Sequence, residues 1–213
     1  MSAQLLWQAT LETLYMTGVA TLLAHLAGIP MGVLLVVTDR GHVLEHRWLH
    51  EVLAAVVNIG RSVPFIILLV AIIPFTRWVV GTSIGTSAAM VPLTVAAIPF
   101  VARLVETALR EVDPGVVEAA LSMGATPWQI VTRVLLPEAL PSLALGAAIT
   151  AVSVLGYSAM AGAVGGGGLG DLAVRYGYQR FRTDVMLQTV VLLVILVQAI
   201  QAAGDAAARR LRH

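Results

Sequence analysis

The sequence predicts an all-α, polytopic membrane protein with five transmembrane helices, and three observations carry that reading. Of its 213 residues 58% are hydrophobic and only 12% charged, with a mean hydropathy of +0.88, which is more apolar than a soluble domain can hide. Four stretches free of Asp, Glu, Lys and Arg, at 13–38, 78–102, 139–170 and 185–204, each reach the roughly 20 residues that a helix needs to cross the hydrocarbon core. A fifth, at 52–76, is interrupted by Arg61 alone. An arginine near one end of a span extends its guanidinium to the interface at modest cost, so this second span is the weakest of the five.

Helices are therefore expected at about 13–37, 53–74, 86–110, 140–161 and 185–208, in one domain covering 1–213 with no internal repeat. No Lys or Arg precedes the first span and no small-residue cleavage site follows a short apolar core, so a removed secretory signal is not expected and the first helix is retained. Cysteine is absent, which excludes disulfides, thiolate metal sites and cysteine nucleophiles. A net charge of +1 gives no reason to expect a nucleic-acid partner.

Arginine placement orients the chain. With the 39–51 loop, the 110–137 segment and the C-terminal tail in the cytosol, that side holds Arg40, Arg47, Arg110, Arg133, Arg209, Arg210 and Arg212. The other side holds Arg77, Arg175, Arg180 and Arg182, so the basic bias places the N-terminus outside and the C-terminus in the cytosol. Ser2, Ser83 and Tyr178 are then external, and His42, Ser122 and Arg212 internal.

The segment at 111–137 is too polar to cross a membrane and is strongly punctuated. Asp113-Pro114 supplies an N-cap and a first-turn proline, and Gly124 offers a left-handed residue to end that helix. Thr126-Pro127-Trp128-Gln129 repeats the start signal as a capping box, and Pro137 is expected to stop the second short helix. Two short helices should meet at a Gly-Ala-Thr elbow.

These residues carry a family resemblance. Glu118-Ala119-Ala120, then Gly124, Ile130 and Leu136-Pro137, resemble the EAA loop of ABC importer permeases, and the likeness extends over nearly the whole chain. Gly60-Arg61-Ser62-Val63-Pro64-Phe65, Pro92 to Val105, and Gly156-Tyr157-Ser158-Ala159-Met160 are similar to the methionine importer permeases within that family. The resemblance implies a type 1 importer permease fold whose 111–137 loop is a cytosolic coupling helix. Glu118, Ala119, Ala120, Gly124 and Ala125 would face an ATP-binding subunit, with Ile130 and Pro137 completing the motif. It also implies a homodimer in the cell membrane, surrounded by lipid, with two ATP-binding cassette subunits and an extracytoplasmic methionine-binding protein. ATP and Mg would be held by the partner subunit, with no cofactor on this chain. A pore constriction is implied near Tyr157, Ser158 and Met160. The residues themselves leave two readings of Met160 open, a thioether that closes a narrow pore or one that fills a gap between helices.

The remaining features fit a transport subunit rather than an enzyme. Gly162 to Gly170 is not a Walker A loop, because that motif needs a lysine and every basic residue here is arginine. Its expected role is a flexible outer turn leaving the fourth span. Arg103 and Glu106 are spaced for a local ion pair, and His25 has no carboxylate in its own span, so it reads as a packing residue. Gly28 and Gly32 form a GxxxG pair around Pro30 that suits close helix packing, although a kinked helix with incidental glycines explains it nearly as well. No triad, catalytic carboxylate pair or metal-ligand spacing lies within the spans. The leading expectation is a methionine import permease; the alternatives are a permease for another amino acid and an ion-coupled secondary transporter, for which the intramembrane carboxylates are lacking.

Overall fold

A computed structural model describes residues 3–211; Ser2 and Arg212, two of the topology markers above, lie outside the described residues. All regular structure among them is helical. The first helix, α1 (Ala3–Val37), is a single 35-residue rod that starts ten residues before the charge-free stretch and runs through Pro30. Glu12 sits inside it rather than bounding it, because one carboxylate near a span's end does not interrupt a helical ladder. A turn-rich loop follows, and the His46 side chain caps the next helix, α2 (Arg47–Ser62), by accepting from the Leu49 N–H at 3.2 Å.

The second span departs from the expected straight helix at 53–74. It breaks after Ser62, and α3 (Phe65–Ala71) leaves at 100° to α2. Pro64 is the cause. It has no N–H for the ladder and disfavours the helical conformation at the residue before it, and Val63 is accordingly extended at φ −82°, ψ 121°. A further helix, α4 (Ile73–Val80), carries Pro74 in its first turn and ends at left-handed Gly81.

The centre of the bundle is α5 (Thr86–Arg110), packed against α1, α2 and the helix over Leu136–Ala163. The GxxxG reading is borne out at this contact. A Cβ built on Gly28 would fall 2.7 Å from the Val101 Cβ, and one on Gly32 would fall 2.6 Å from the Ala102 carbonyl oxygen. Only glycine lets α1 come this close to α5. Leu93, Ala97, Val101 and Val105 of α5 meet Met16, Ala20 and Ala24 of α1 in the principal core.

After α6 (Pro114–Ser122), the chain turns into α7 (Pro127–Ile130), which does not stop at Pro137 as the sequence suggests. A π-helical turn over Val131–Leu135, closed by the Leu136 N–H on the Val131 carbonyl, leads into α8 (Leu136–Ala163), giving one continuous helix over Pro127–Ala163. The wider turn relieves the clash between the proline ring and the preceding turn, and Pro137 sits in the first turn of α8. The chain then forms α9 (Gly168–Leu172), a second π-helical turn and α10 (Thr183–Leu211), which packs Gly204 against Ala148 of α8. Four of these helices are long and apolar enough to cross a membrane, and the bent pair α2–α3 supplies the fifth span.

Candidate functional site: the capped hairpin and the end of α8

Apart from the stop expected at Pro137, each local signal in the hairpin is realised. The Asp113 side chain accepts from the Gly115 N–H at 2.7 Å, with Pro114 in the first turn. Gly124 is left-handed at φ +80°, and the Gly124 and Ala125 N–H groups donate back to Leu121 and Ala120 at 2.9 and 3.1 Å, which satisfies the end of α6. Thr126 and Gln129 form a reciprocal capping box, with the Thr126 N–H on Gln129 Oε1 at 2.9 Å and the Gln129 N–H on Thr126 Oγ1 at 3.4 Å. Seven backbone groups at three helix ends are thus fixed by local contacts, and the elbow has a defined shape.

The motif residues divide into two groups. Glu118, Ala119 and Gly124 are exposed, as is Pro137, and Ala125 is half-buried. Ala120 and Ile130 are instead buried in the chain's own core, at 5% and 0% exposure. Ala120 therefore anchors the hairpin and presents no side chain outward, contrary to what the family resemblance implies for it. The hairpin's outward apolar surface comes from residues the motif does not name: Leu121, Met123 and Trp128, with Met123 82% and Trp128 74% exposed. Their signal in the sequence is large apolar side chains flanking a glycine elbow in an otherwise polar segment.

A polar network, of which the sequence shows only the Arg103–Glu106 pair, links the end of α5 at the base of this hairpin to α2. Arg103 Nη1 donates to Glu106 Oε2 at 2.7 Å, confirming the expected pair, and Arg103 Nη2 also donates to Asn58 Oδ1 of α2. Arg110 joins Glu106 Oε1 at 3.1 Å to Asp39 Oδ2 at 2.7 Å. His50 lies 3.8 Å from Asp39 through Nε2 and bonds the Leu35 carbonyl through Nδ1 at 2.9 Å. Burial pushes Asp39 up, but the Arg40 N–H, the Arg110 guanidinium and the charge of His50 outweigh it and hold the carboxyl below its ordinary value. Beside this network a cavity of about 420 Å³ separates the loop residues Arg40 and His42 from Val117 and Glu118 of α6. His25, by contrast, bonds the Thr21 carbonyl of its own helix at 2.8 Å, as a packing residue does.

At the end of α8 the three predicted pathway residues point in different directions. Tyr157 stacks on Phe65 of α3, with ring centroids 4.8 Å apart and planes 10° from parallel. Ser158 is buried, donating its hydroxyl to the Leu155 carbonyl at 2.7 Å. Met160 is half exposed, one turn along from exposed Gly156. The glycine run beyond them is not a loose outer turn. Gly168, Leu169 and Gly170 are buried, and Glu12 and Thr13 of α1 accept from the Gly168 and Leu169 N–H groups at 2.8 and 2.9 Å. Side chains are excluded here because a Cβ on Gly166 would fall 2.7 Å from the Ala161 carbonyl oxygen. Among the described residues no group of three metal-ligating side chains occurs.

Comparison with known proteins identifies this arrangement. The family model described as "Binding-protein-dependent transport system inner membrane component" matches residues 6–213. The chain is 57% identical over 213 residues to the "Probable D-methionine transport system permease protein MetI" of Vibrio cholerae, covering all of this chain and 95% of that one. It is 48% identical over 200 residues to the "Methionine import system permease protein MetP" of Bacillus subtilis, covering 94% of this chain and 90% of the other. A solved structure described as an inward-facing conformation of the MetNI methionine ABC transporter superimposes over the whole of both chains, with a TM-score of 0.98 at 53% identity. The capped hairpin, the five spans and the polar base thus belong to a transport subunit of the membrane rather than to an enzyme, and the chain is a member of the binding-protein-dependent transport system inner membrane component family.

Proposed function

We propose that this permease carries methionine inward as half of a homodimer, driven by two separate ATP-binding subunits and supplied by an extracytoplasmic binding protein. The observation that carries the reading is the near-complete, 57% identical alignment with a methionine permease, together with superposition on the methionine transporter structure. ATP and Mg belong to the partner subunit, since the chain has no lysine for a phosphate loop. The hairpin is the element that meets that partner. Glu118, Ala119 and Gly124 form its polar and small-residue surface, and Met123 and Trp128 add apolar projections of the kind that fill pockets at interfaces. Ala120 and Ile130 seat the hairpin on the bundle, Ala125 braces the elbow, and Pro137 marks where its second helix joins the span.

In this orientation the N-terminus is outside and the hairpin and C-terminus are cytosolic. ATP-driven movement of the hairpin reaches the span directly, because α7, the π turn and α8 are one unbroken helix ending near Met160. A rigid rod of that length transmits displacement of one end to the other. The experiment is uptake of labelled methionine into proteoliposomes holding the permease, the ATPase and the binding protein, with other amino acids as competitors. Methionine uptake that needs all three proteins and ATP supports the reading. Preferential uptake of a different amino acid replaces methionine, and uptake driven by an ion gradient without ATP removes the class.

A further inference from the structure

We propose that Arg61 is the residue that receives the carboxylate of the transported amino acid at mid-depth of the translocation pathway, an inference that rests on the chain being an amino-acid permease. The sequence suggests that Arg61 lies near a span's end and reaches the interface. Its register in the bundle says otherwise. The adjacent Gly60 packs on Pro99, with a built Cβ only 2.9 Å from the Pro99 Cγ, and Pro99 stands near the middle of the 25-residue α5. One turn earlier Asn58 bonds Arg103, and Val57 is fully buried with Leu35 and Ala102. The guanidinium is therefore attached to the helix near half-depth, immediately before the 100° break after Ser62. An interrupted helix with polar groups at the bilayer midplane is where transporters commonly hold their substrate.

The surroundings give the site its direction. Arg47, Glu51, Asn58, Arg61 and Ser62 are exposed on one side of α2, and Thr107 with half-buried Arg103 continues that polar side onto α5. A surface bearing these groups cannot face hydrocarbon without a large cost, so it faces water or protein within the assembly. Trp48, Val52, Val56 and Ile59 are exposed on a different side of the same helix and suit lipid. Arg103 is answered by Glu106 at 2.7 Å, whereas Arg61 has no ion-pair or hydrogen-bond partner among the described residues. An unanswered cation in a medium of reduced dielectric attracts an anion strongly, and a planar guanidinium matches a carboxylate in a two-point contact.

The test uses the complete permease–ATPase complex in nanodiscs and compares methionine with methioninol, in which a hydroxymethyl group replaces the carboxylate. Arg61→Gln should weaken methionine binding by about ten- to a hundredfold, the range expected for losing one charge-assisted contact. It should leave methioninol binding unchanged, because the group that Arg61 recognises is already missing. Arg61→Lys should recover part of the methionine affinity. Any methionine site elsewhere in the complex contributes equally to both proteins and drops out of the comparison. Equal losses for the two ligands, or no loss for either, would overturn the assignment. Dissociation of the permease dimer in Arg61→Gln would likewise overturn it, by placing the guanidinium at a contact between copies. Failure of the wild-type transporter to take up methionine would instead remove the amino-acid reading itself, so the two failures are distinguishable.

Discussion

Arg103 Nη1 lies 2.7 Å from Glu106 Oε2, and Glu106 is only 4% exposed, so one buried carboxylate holds an arginine that also reaches α2. Glu106→Ala leaves Arg103 and Arg110 without their shared acceptor. Because those arginines are partly exposed, the expected loss is below that of a fully buried pair, about 2–3 kcal/mol. Glu106→Gln keeps an acceptor oxygen and should lose less. Thermal unfolding of the two variants in detergent measures the order, and an alanine variant as stable as the parent would show that the network contributes nothing.

The close approach of α1 to α5 makes a second prediction. Gly32→Leu forces a side chain into the Ala102 backbone and the Val105 side chain. Overpacking of this kind typically costs about 1–3 kcal/mol, and here it also separates two helices along their length. The variant should show a lower melting temperature and poor recovery of folded protein. Gly18→Leu is the control, since a Cβ there meets nothing within 4 Å.

Gly124 tests the coupling role of the hairpin. Its φ of +80° is strained for any residue with a Cβ, by roughly 1 kcal/mol, yet no atom of this chain lies within 4 Å of where that Cβ would be. Gly124→Asp should therefore insert and fold, with its main effect at the partner surface. Transport should fall sharply and ATPase activity should lose its dependence on binding protein. Normal uptake by this variant would detach the elbow from coupling.

Orientation is accessible to cysteine labelling because the native chain has no cysteine. With an impermeant reagent added to intact cells, Ser83→Cys should be labelled and Ser122→Cys should not. Labelling of the position 122 thiol from outside would invert the topology and move the hairpin away from any cytosolic ATPase.

Met160 is half exposed and follows exposed Gly156 by one turn, so its thioether is available to a second copy of the chain. As a gate on the two-fold axis, Met160→Cys should cross-link between the two permeases under oxidation in one nucleotide state and less in another, since a disulfide needs Cα atoms within about 7 Å. Met160→Ala should raise leak or basal ATP turnover. If no nucleotide state gives a cross-link and the alanine variant transports normally, Met160 is a packing residue.

The sequence by itself determined the four uncharged spans and the caps and elbow of the hairpin, and did so through local chemistry. Uncharged runs of sufficient length must be helical in lipid, where every backbone group needs an internal partner. Asp113, Gly124, Thr126 and Gln129 act on backbone groups within a few residues, so their roles were legible from spacing alone. The GxxxG pair on α1 was equally readable as a packing signal, although its partner on α5 was not.

Tertiary structure alone decided everything that depends on which distant residues meet. Pro137 has the local character of a helix stop, yet the π turn before it lets α7 continue into α8. The glycine run has the composition of a flexible loop, but Glu12 and Thr13, more than 150 residues away, hold it in a buried turn. Ala120 belongs to a partner-facing motif by sequence and to the core by packing. Arg61 reads in the sequence as a residue near a span's end, whereas the tertiary structure sets the Gly60 beside it on Pro99, near the middle of α5. Spacing along the chain encodes backbone hydrogen bonds a turn or two apart; the depth and outlook of a side chain in a membrane are properties of the assembled helices.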